Sequence, residues 1–324
     1  MRKSTRSKRP RGVQIVDVIT SQDDLNALAE RDKKRVAIVS QNDEPDETAS
    51  TSNNTHPPSN TTDEDVLASS HSIGDDKNNE LTSAGKLLQI ASDLSRALSE
   101  LQFKSVSHVY NPLEYAFEGY SEYVKRYGNG FKEVVLVGMN PGPFGMTQTG
   151  VPFGDVAMVR DWLQIPATTN IAKPTIEHPA RPVEGFACSR SEISGTRFWQ
   201  WARDSFGTPE SFFKKFFIAN YCPLVFMEGK TAKNRTPDKL PASEKEALFT
   251  LCDRHLRLTL EILRPKFVIG VGVFARERAE AVSEGLSFKV TVGQILHPSP
   301  ASPLANHNWK EKIEKEMQEL GVTL

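Results

Sequence analysis

Val134-Val135-Leu136-Val137-Gly138-Met139-Asn140-Pro141-Gly142-Pro143-Phe144-Gly145-Met146 opens on four β-branched or apolar residues without a break. That pattern reads as a short strand buried on both faces. The run then stops in Gly, Pro and Gly around one polar side chain, Asn140. Gly138 and Gly142 permit close approach of the backbone to a ligand, and Pro141 and Pro143 stiffen the turn. Open α/β sheets place their ligand crevices at such a loop, just past the carboxyl end of a buried parallel strand. Taken alone, the loop reads equally as a tight turn without chemistry.

A second loop of the same style lies near the other end of the chain. Ile295-Leu296-His297-Pro298-Ser299-Pro300-Ala301-Ser302-Pro303 follows a short apolar run, carries one ionisable group, His297, and has prolines behind it. A lone histidine is more often structural than chemical. Two proline-braced loops, each offering one polar side chain beyond a buried strand, point instead to a site assembled from distant segments on a rigid scaffold.

Outward from these loops, the chain alternates between strand and helix patterns. Leu87, Leu88, Ile90, Ala91, Leu94, Ala97, Leu98 and Leu101 recur at helical spacing and predict an amphipathic opening helix. The Tyr-rich residues 110–127 read as partly helical, residues 155–163 as a short helix, and residues 165–190 as an irregular, proline-rich surface loop. A helix is predicted over residues 196–206 and a strand over 216–219, ending at Asn220. The longest predicted helix covers 243–263, with Ser243 and Glu246 at capping-box spacing. A strand over 267–271, a helix to about 283, the strand leading to His297 and a helix over 306–320 complete the chain. This alternation predicts an α/β fold: a three-layer α/β/α sandwich with a short, mostly parallel central sheet.

Residues 1–82 have another character. Runs such as Asp43-Glu44-Pro45-Asp46-Glu47-Thr48 are acidic and polar, and cannot bury enough apolar surface to offset the entropy of ordering. We expect a disordered tail over 1–82, basic at its start and acidic beyond, and a folded domain over 83–324. Within the tail, residues 13–19 are apolar enough for a transient strand or docking motif. The basic run Arg6-Ser7-Lys8-Arg9-Pro10-Arg11, preceded by Arg2-Lys3, suits a nuclear address or a contact to phosphates, and the expected location is the nucleus.

With 40 basic and 41 acidic residues the chain is not a general nucleic-acid coat, although a local basic groove is compatible with this balance. Its 38% apolar content is enough for a sizeable core, and no run is long enough to span a bilayer. The basic N-terminus has no apolar segment behind it, so no secretory signal and no membrane association are expected. Cys188, Cys222 and Cys252 are too few and too widely spaced for a disulfide framework or a metal knuckle. They are expected to be reduced thiols of an intracellular protein, with Cys222 buried beside its strand. Neither a metal nor a cofactor is expected.

Five motifs together resemble the uracil-DNA glycosylase superfamily, and within it the single-strand-selective monofunctional branch. They are the segments 138–146, Gln148-Thr149-Gly150-Val151-Pro152-Phe153-Gly154, Cys188-Ser189-Arg190-Ser191-Glu192, Asn220-Tyr221-Cys222-Pro223-Leu224 and His297-Pro298-Ser299-Pro300. They run in order through roughly residues 86–322; the first and last together are specific, and either alone is weak.

The resemblance implies a monofunctional glycosylase that hydrolyses the N-glycosidic bond of uracil, 5-hydroxymethyluracil and 5-formyluracil in single- and double-stranded DNA, initiating base excision repair. The target base must first be rotated out of the stack, at ~a few kcal/mol. Phe153 matches the position on which the family stacks that base, and Asn220 the residue that reads its Watson–Crick edge. An amide offers a donor and an acceptor together and so complements O4 and N3–H. Asn140 matches the residue that positions the attacking water, and His297 the one that stabilises charge developing on O2. Met139 and Gly142 would border the C5 side, where a small residue leaves room for a substituent.

No Lys stands where an amine nucleophile is needed, so the strand is expected to stay uncut. Relatives from vertebrates have Arg after the His-Pro-Ser-Pro run where this chain has Ala301. The loop Ser299, Pro300, Ala301, Ser302, Pro303, Leu304 is still expected to enter the DNA, with Leu304 as the apolar wedge. Lys310, Arg160 and Arg190 are candidate phosphate contacts. The expected partner is DNA containing uracil or oxidised pyrimidines, met by a monomer. The alternative is a catalytically inactive damaged-DNA-binding protein of the same fold; an esterase is disfavoured because no G-x-S-x-G elbow is present.

Overall fold

Four strand segments, three of them nearly continuous apolar runs, end in loops, and the computed structural model gathers them into one sheet. It describes residues 81–324. The expected tail, with its basic run and the apolar residues 13–19, lies outside the described residues but for its last two. The chain divides into two units, 1–74 and 75–324, and the described residues all belong to the second.

Along the chain, α1 (Ser83–Ser99) is followed by β1 (His108–Tyr110), α2 (Pro112–Tyr115), α3 (Phe117–Tyr127), β2 (Val134–Gly138) and α4 (Met146–Thr149). Next come α5 (Ile193–Phe206), α6 (Pro209–Phe213), β3 (Phe216–Asn220), β4 (Val225–Glu228) and β5 (Lys233–Arg235). The last elements are α7 (Ala242–Leu263), β6 (Phe267–Val271), α8 (Val273–Ser283), β7 (Thr291–Ile295) and α9 (Trp309–Glu319). Strands β3-β2-β6-β7 form a wholly parallel sheet in that order. Every residue of β2 is buried, as a central strand between two helical layers requires. The fold is the expected three-layer α/β/α sandwich.

Local signals explain most boundaries. Thr82 caps α1 by accepting the Gly85 N–H at 3.2 Å, and Leu87, Ile90, Leu94 and Leu98 form its buried face, which packs on α7. Each such side chain contributes roughly 1.5–3 kcal/mol of burial before chain entropy is set against it. An aromatic block of Trp199, Trp201, Phe212 and Phe216 fills the space beneath α5 and α6, with Phe212 stacked on Phe216 at 4.9 Å.

Several expectations need correction. The Ser243 capping box is not formed: α7 starts at Ala242 with Pro241 at its cap and no side-chain cap bond. Glu244, in the first turn, ties α7 to the 104–105 turn by accepting the N–H groups of Lys104 and Ser105 and the Ser105 hydroxyl. Residues 155–163 form one α turn running into a π turn, Met158–Trp162. The helix expected from residue 196 begins three residues earlier, at Ile193. The C-terminal helix starts at Trp309, after a 3-10 turn over Pro303–Asn306. Residues 165–190 are irregular apart from a 3-10 turn, yet His178 and Val183 within them are buried, so this is not wholly a surface loop. A small antiparallel sheet, β1-β4-β5, was not anticipated.

All three cysteines are buried, free thiols. Among the described residues no helix is long and apolar enough to cross a membrane, and no group of three or more His, Cys, Asp or Glu is arranged to hold a metal.

Candidate active site

Because the four strands run parallel, their carboxyl ends share one edge. β3 ends at Asn220 directly beside Gly138 of β2, and β6 ends beside Ile295 of β7. Beyond these ends lie Met139 and Asn140, Gly272, and Leu296 and His297. The pairing of β2 with β3 continues past the strands, since Tyr221 N–H donates to Gly138 O and Cys222 N–H to Met139 O, both at 2.9 Å. A Cβ on Gly138 would fall on Asn220 Oδ1 and the Phe153 ring, so the absent side chain is what lets these two groups close over the strand end.

Asn140 donates from Nδ2 to the Leu224 carbonyl at 3.1 Å. A carbonyl can only accept, which fixes the amide orientation and directs Oδ1, the acceptor, away from that contact. Asn220 donates from Nδ2 to the Met146 sulfur at 3.2 Å, a weak bond that a better acceptor can displace.

His297 is held more tightly. The Ser299 N–H donates to its Nδ1 at 3.0 Å, so the neutral ring carries its proton on Nε2. Burial pushes the imidazole down to about 4, leaving it uncharged at neutral pH. Beside it, a Cβ on Gly272 (φ +95°) would meet His297 Cβ at 3.4 Å, while Leu296 donates its N–H to Glu316 and accepts the Trp309 indole N–H at 2.8 Å.

Phe153 lies 6.3 Å from the His297 ring, centroid to centroid. Its backbone is left-handed, φ +54°, a conformation costing a non-glycine residue ~1–3 kcal/mol unless its surroundings enforce it. Here α5 enforces it. Trp199 donates its indole N–H to the Phe153 carbonyl at 3.0 Å, a Cβ on Gly195 would strike that same carbonyl, and Phe198 stacks on the ring at 4.7 Å and 13°. One ring face is therefore occupied.

The 139–146 loop is braced from several sides. Thr147 Oγ1 donates to Gly142 O at 2.7 Å, and Gln148 ties Pro143 O to Pro182 O and the N–H groups of Glu184 and Gly185. Glu192, at the start of α5, accepts the Phe144 N–H at 3.2 Å, and its carboxylate fills the space a Gly142 side chain would take. Burial, and secondarily Asp155, raises the Glu192 pKa, while the Phe144 N–H opposes that rise.

The loop after His297 projects beside this edge, folded on itself by Ser302 N–H to Ser299 O and Asn306 Nδ2 to Pro300 O. Leu304, in its closing 3-10 turn, is 64% exposed. Of the candidate phosphate contacts, Arg160 is engaged by Asp161 through two bonds, Lys310 lies 4.0 Å from Glu314, and Arg190 stacks over Phe144 at 3.9 Å.

Asn140, Met139, Gly142, Phe153, Asn220 and His297 thus meet at one sheet edge, with residues 299–304 alongside. Reading the sequence alone missed the contribution of α5: Glu192 braces the 139–146 loop, Phe198 and Trp199 hold Phe153, and Arg197 holds the loop after His297. Glu192 closes one of the five motifs, but helical spacing gives no sign of what a helix holds.

The Uracil DNA glycosylase superfamily model matches residues 125–320. The chain is 47% identical over 230 residues to the single-strand selective monofunctional uracil-DNA glycosylase of Rattus norvegicus, covering 71% of this chain and 82% of that one. It is 46% identical over 230 residues to the corresponding protein of Mus musculus, covering 71% and 81%. Among solved structures, wild-type Pedobacter heparinus SMUG2 superposes with a TM-score of 0.54 at 19% identity, covering 75% of this chain and 98% of that one, a likeness of fold.

Proposed function

Since the chain belongs to the uracil DNA glycosylase superfamily, we propose that it excises uracil, 5-hydroxymethyluracil and 5-formyluracil from single- and double-stranded DNA and so initiates base excision repair. It is a monofunctional uracil-DNA glycosylase, a hydrolase without lyase activity.

In our reading the extruded base stacks on the ring face of Phe153 that Phe198 leaves open, a contact worth ~1–3 kcal/mol. Asn220 exchanges its weak bond to Met146 for the O4 and N3–H edge. Asn140 keeps Nδ2 on Leu224 and uses Oδ1 to hold a water towards C1′. An amide is too weak a base to activate that water strongly, so the bond to the base must break ahead of attack. His297 then donates from Nε2 to the oxygen that gains charge, as a neutral preorganised donor.

The observation that carries this reading is the Ser299 N–H bond to His297 Nδ1, which fixes the tautomer the chemistry needs. For the 5-substituted bases the reading rests on the resemblance, since the side-chain direction of Gly142 is filled by the Glu192 carboxylate. Leu304 is the proposed wedge, supported by its exposure. A nuclear location and action as a monomer complete the proposal; the basic run within residues 2–11 supports the first.

Purified protein should release free uracil from an oligonucleotide without added metal, leaving the strand whole until alkali is applied. Asn140→Ala should lose turnover by ~100-fold or more while retaining DNA affinity. Strand cleavage without alkali, or an Asn140→Ala variant as fast as the parent, would overturn the proposal. Competition among the three bases, in single and double strands, tests the finer specificity.

A further inference from the structure

Arg197 sits in the second turn of α5 and reaches across to the loop that follows His297. Its Nη1 donates to Pro298 O at 3.1 Å and to Ala305 O at 3.2 Å, and its Nη2 to Asn306 Oδ1 at 2.9 Å. The guanidinium therefore joins the start of the loop to its end, and no described carboxylate is ion-paired with it. Asn306, its third partner, passes the restraint inward by donating to Pro300 O at 3.1 Å. Lys312 holds the far side, donating to Leu304 O at 2.7 Å and His307 O at 2.9 Å.

We propose that Arg197 is a positioning residue that sets the shape in which residues 299–304 enter a duplex, making excision from double strands depend on it far more than excision from single strands. This rests on the reading of that loop as the wedge. A loop closed only by its own turn would have to be ordered on each encounter, and the entropy of ordering would be drawn from binding. Arg197 supplies that order beforehand. Arg197 meets its three acceptors from two nitrogens fixed in one plane, and the single ammonium of Lys cannot place donors at both positions, so Lys is not an equivalent here.

The strand dependence follows from what the loop does. In a duplex the target must be unpaired and unstacked, and something must fill the gap it leaves. In a single strand much of that cost is absent. His297 has anchors apart from Arg197, because the Leu296 bonds to Glu316 and Trp309 hold the residue before it.

The test is single-turnover uracil release by the full chain, wild type against Arg197→Gln and Arg197→Lys, from one oligonucleotide presented alone and paired with its complement. Both variants should lose ~10-fold or more on the duplex and at most ~3-fold on the single strand. The effect of Leu304→Ala on the duplex rate should shrink in the Arg197→Gln background, since the two substitutions damage the same device. Thermal unfolding of each variant identifies one that has merely lost its fold; Arg197→Lys, which retains length and charge, then stands as the decisive comparison. Equal losses on both substrates, a duplex rate restored by Lys, or strict additivity with Leu304→Ala would each overturn the inference. Absence of uracil release by the wild-type chain would instead count against the proposed function.

Discussion

At His297 one backbone bond does two things. The Ser299 N–H occupies Nδ1, so the ring cannot present a lone pair to a substrate from that side, and the exchangeable proton must sit on Nε2. Since burial also lowers its pKa from 6.5 to about 4, the single-turnover rate should show no His297 ionisation near neutrality. A pH–rate profile with an inflection near 6.5 that disappears in His297→Asn would contradict this. At Gly142 the constraint is steric, because its backbone lies outside the left-handed region while the side-chain direction is filled by the Glu192 carboxylate. Gly142→Ala should therefore destabilise the fold by ~1–3 kcal/mol, the usual cost of overpacking. Removing the obstruction in Gly142→Ala/Glu192→Ala should recover part of that loss, and chemical denaturation of the two single variants and the double variant measures the coupling.

At the scale of elements, α5 behaves as a clamp. Its start holds the 139–146 loop through Glu192, its middle holds Phe153 through Phe198 and Trp199, and Arg197 holds the loop beyond His297. Trp199→Phe keeps the ring packing but deletes the indole bond to the Phe153 carbonyl. We expect a stability loss of ~1 kcal/mol and a larger loss in excision rate, because the strained Phe153 backbone loses an enforcing contact. Circular dichroism melting alongside single-turnover kinetics separates the two effects. The strands β2, β3 and β6 are legible in the sequence because burial on both faces imposes nearly uninterrupted apolar runs, and their exits because Gly or Pro marks them; β7, a partly exposed edge strand reading Thr-Val-Gly-Gln-Ile, shows only by its place ahead of the His297 loop. The small sheet is not: three or four residues per strand leave too little alternation to detect, and β5 is Lys-Asn-Arg. The capping box misled for a different reason, since the chain enters the helix at Pro241 and Ala242, which puts Ser243 inside the first turn instead of at the cap. The role of α5 rests on contacts between segments roughly fifty to a hundred residues apart, which no local pattern encodes.

For the molecule as a whole, the buried ionisable groups define a window of greatest stability. His255 and His297 both fall to about 4 from 6.5 through burial, so between these values the unfolded chain binds more protons than the folded one. Stability must then fall as pH drops through that interval, by up to roughly 3 kcal/mol for each group. Lys132, buried against the Phe213 carbonyl, is lowered to about 8 from 10.5, which makes stability rise through that interval. Tyr127 is raised to about 12 from 10, chiefly by burial, so stability declines again above 10. Urea denaturation from pH 4 to 11 should trace this shape. His255→Gln should flatten the acid limb; an unchanged limb would mean that His255 is not held neutral in the fold.

The covered face of Phe153 has a geometric corollary. With Phe198 lying against one side of the ring, a planar guest has a single approach, and in the proposed reading the pocket is handed. The two backbones of a double helix run in opposite senses, so one landing on DNA inspects one backbone only. To inspect its partner the protein must let go, turn about the dyad and land again.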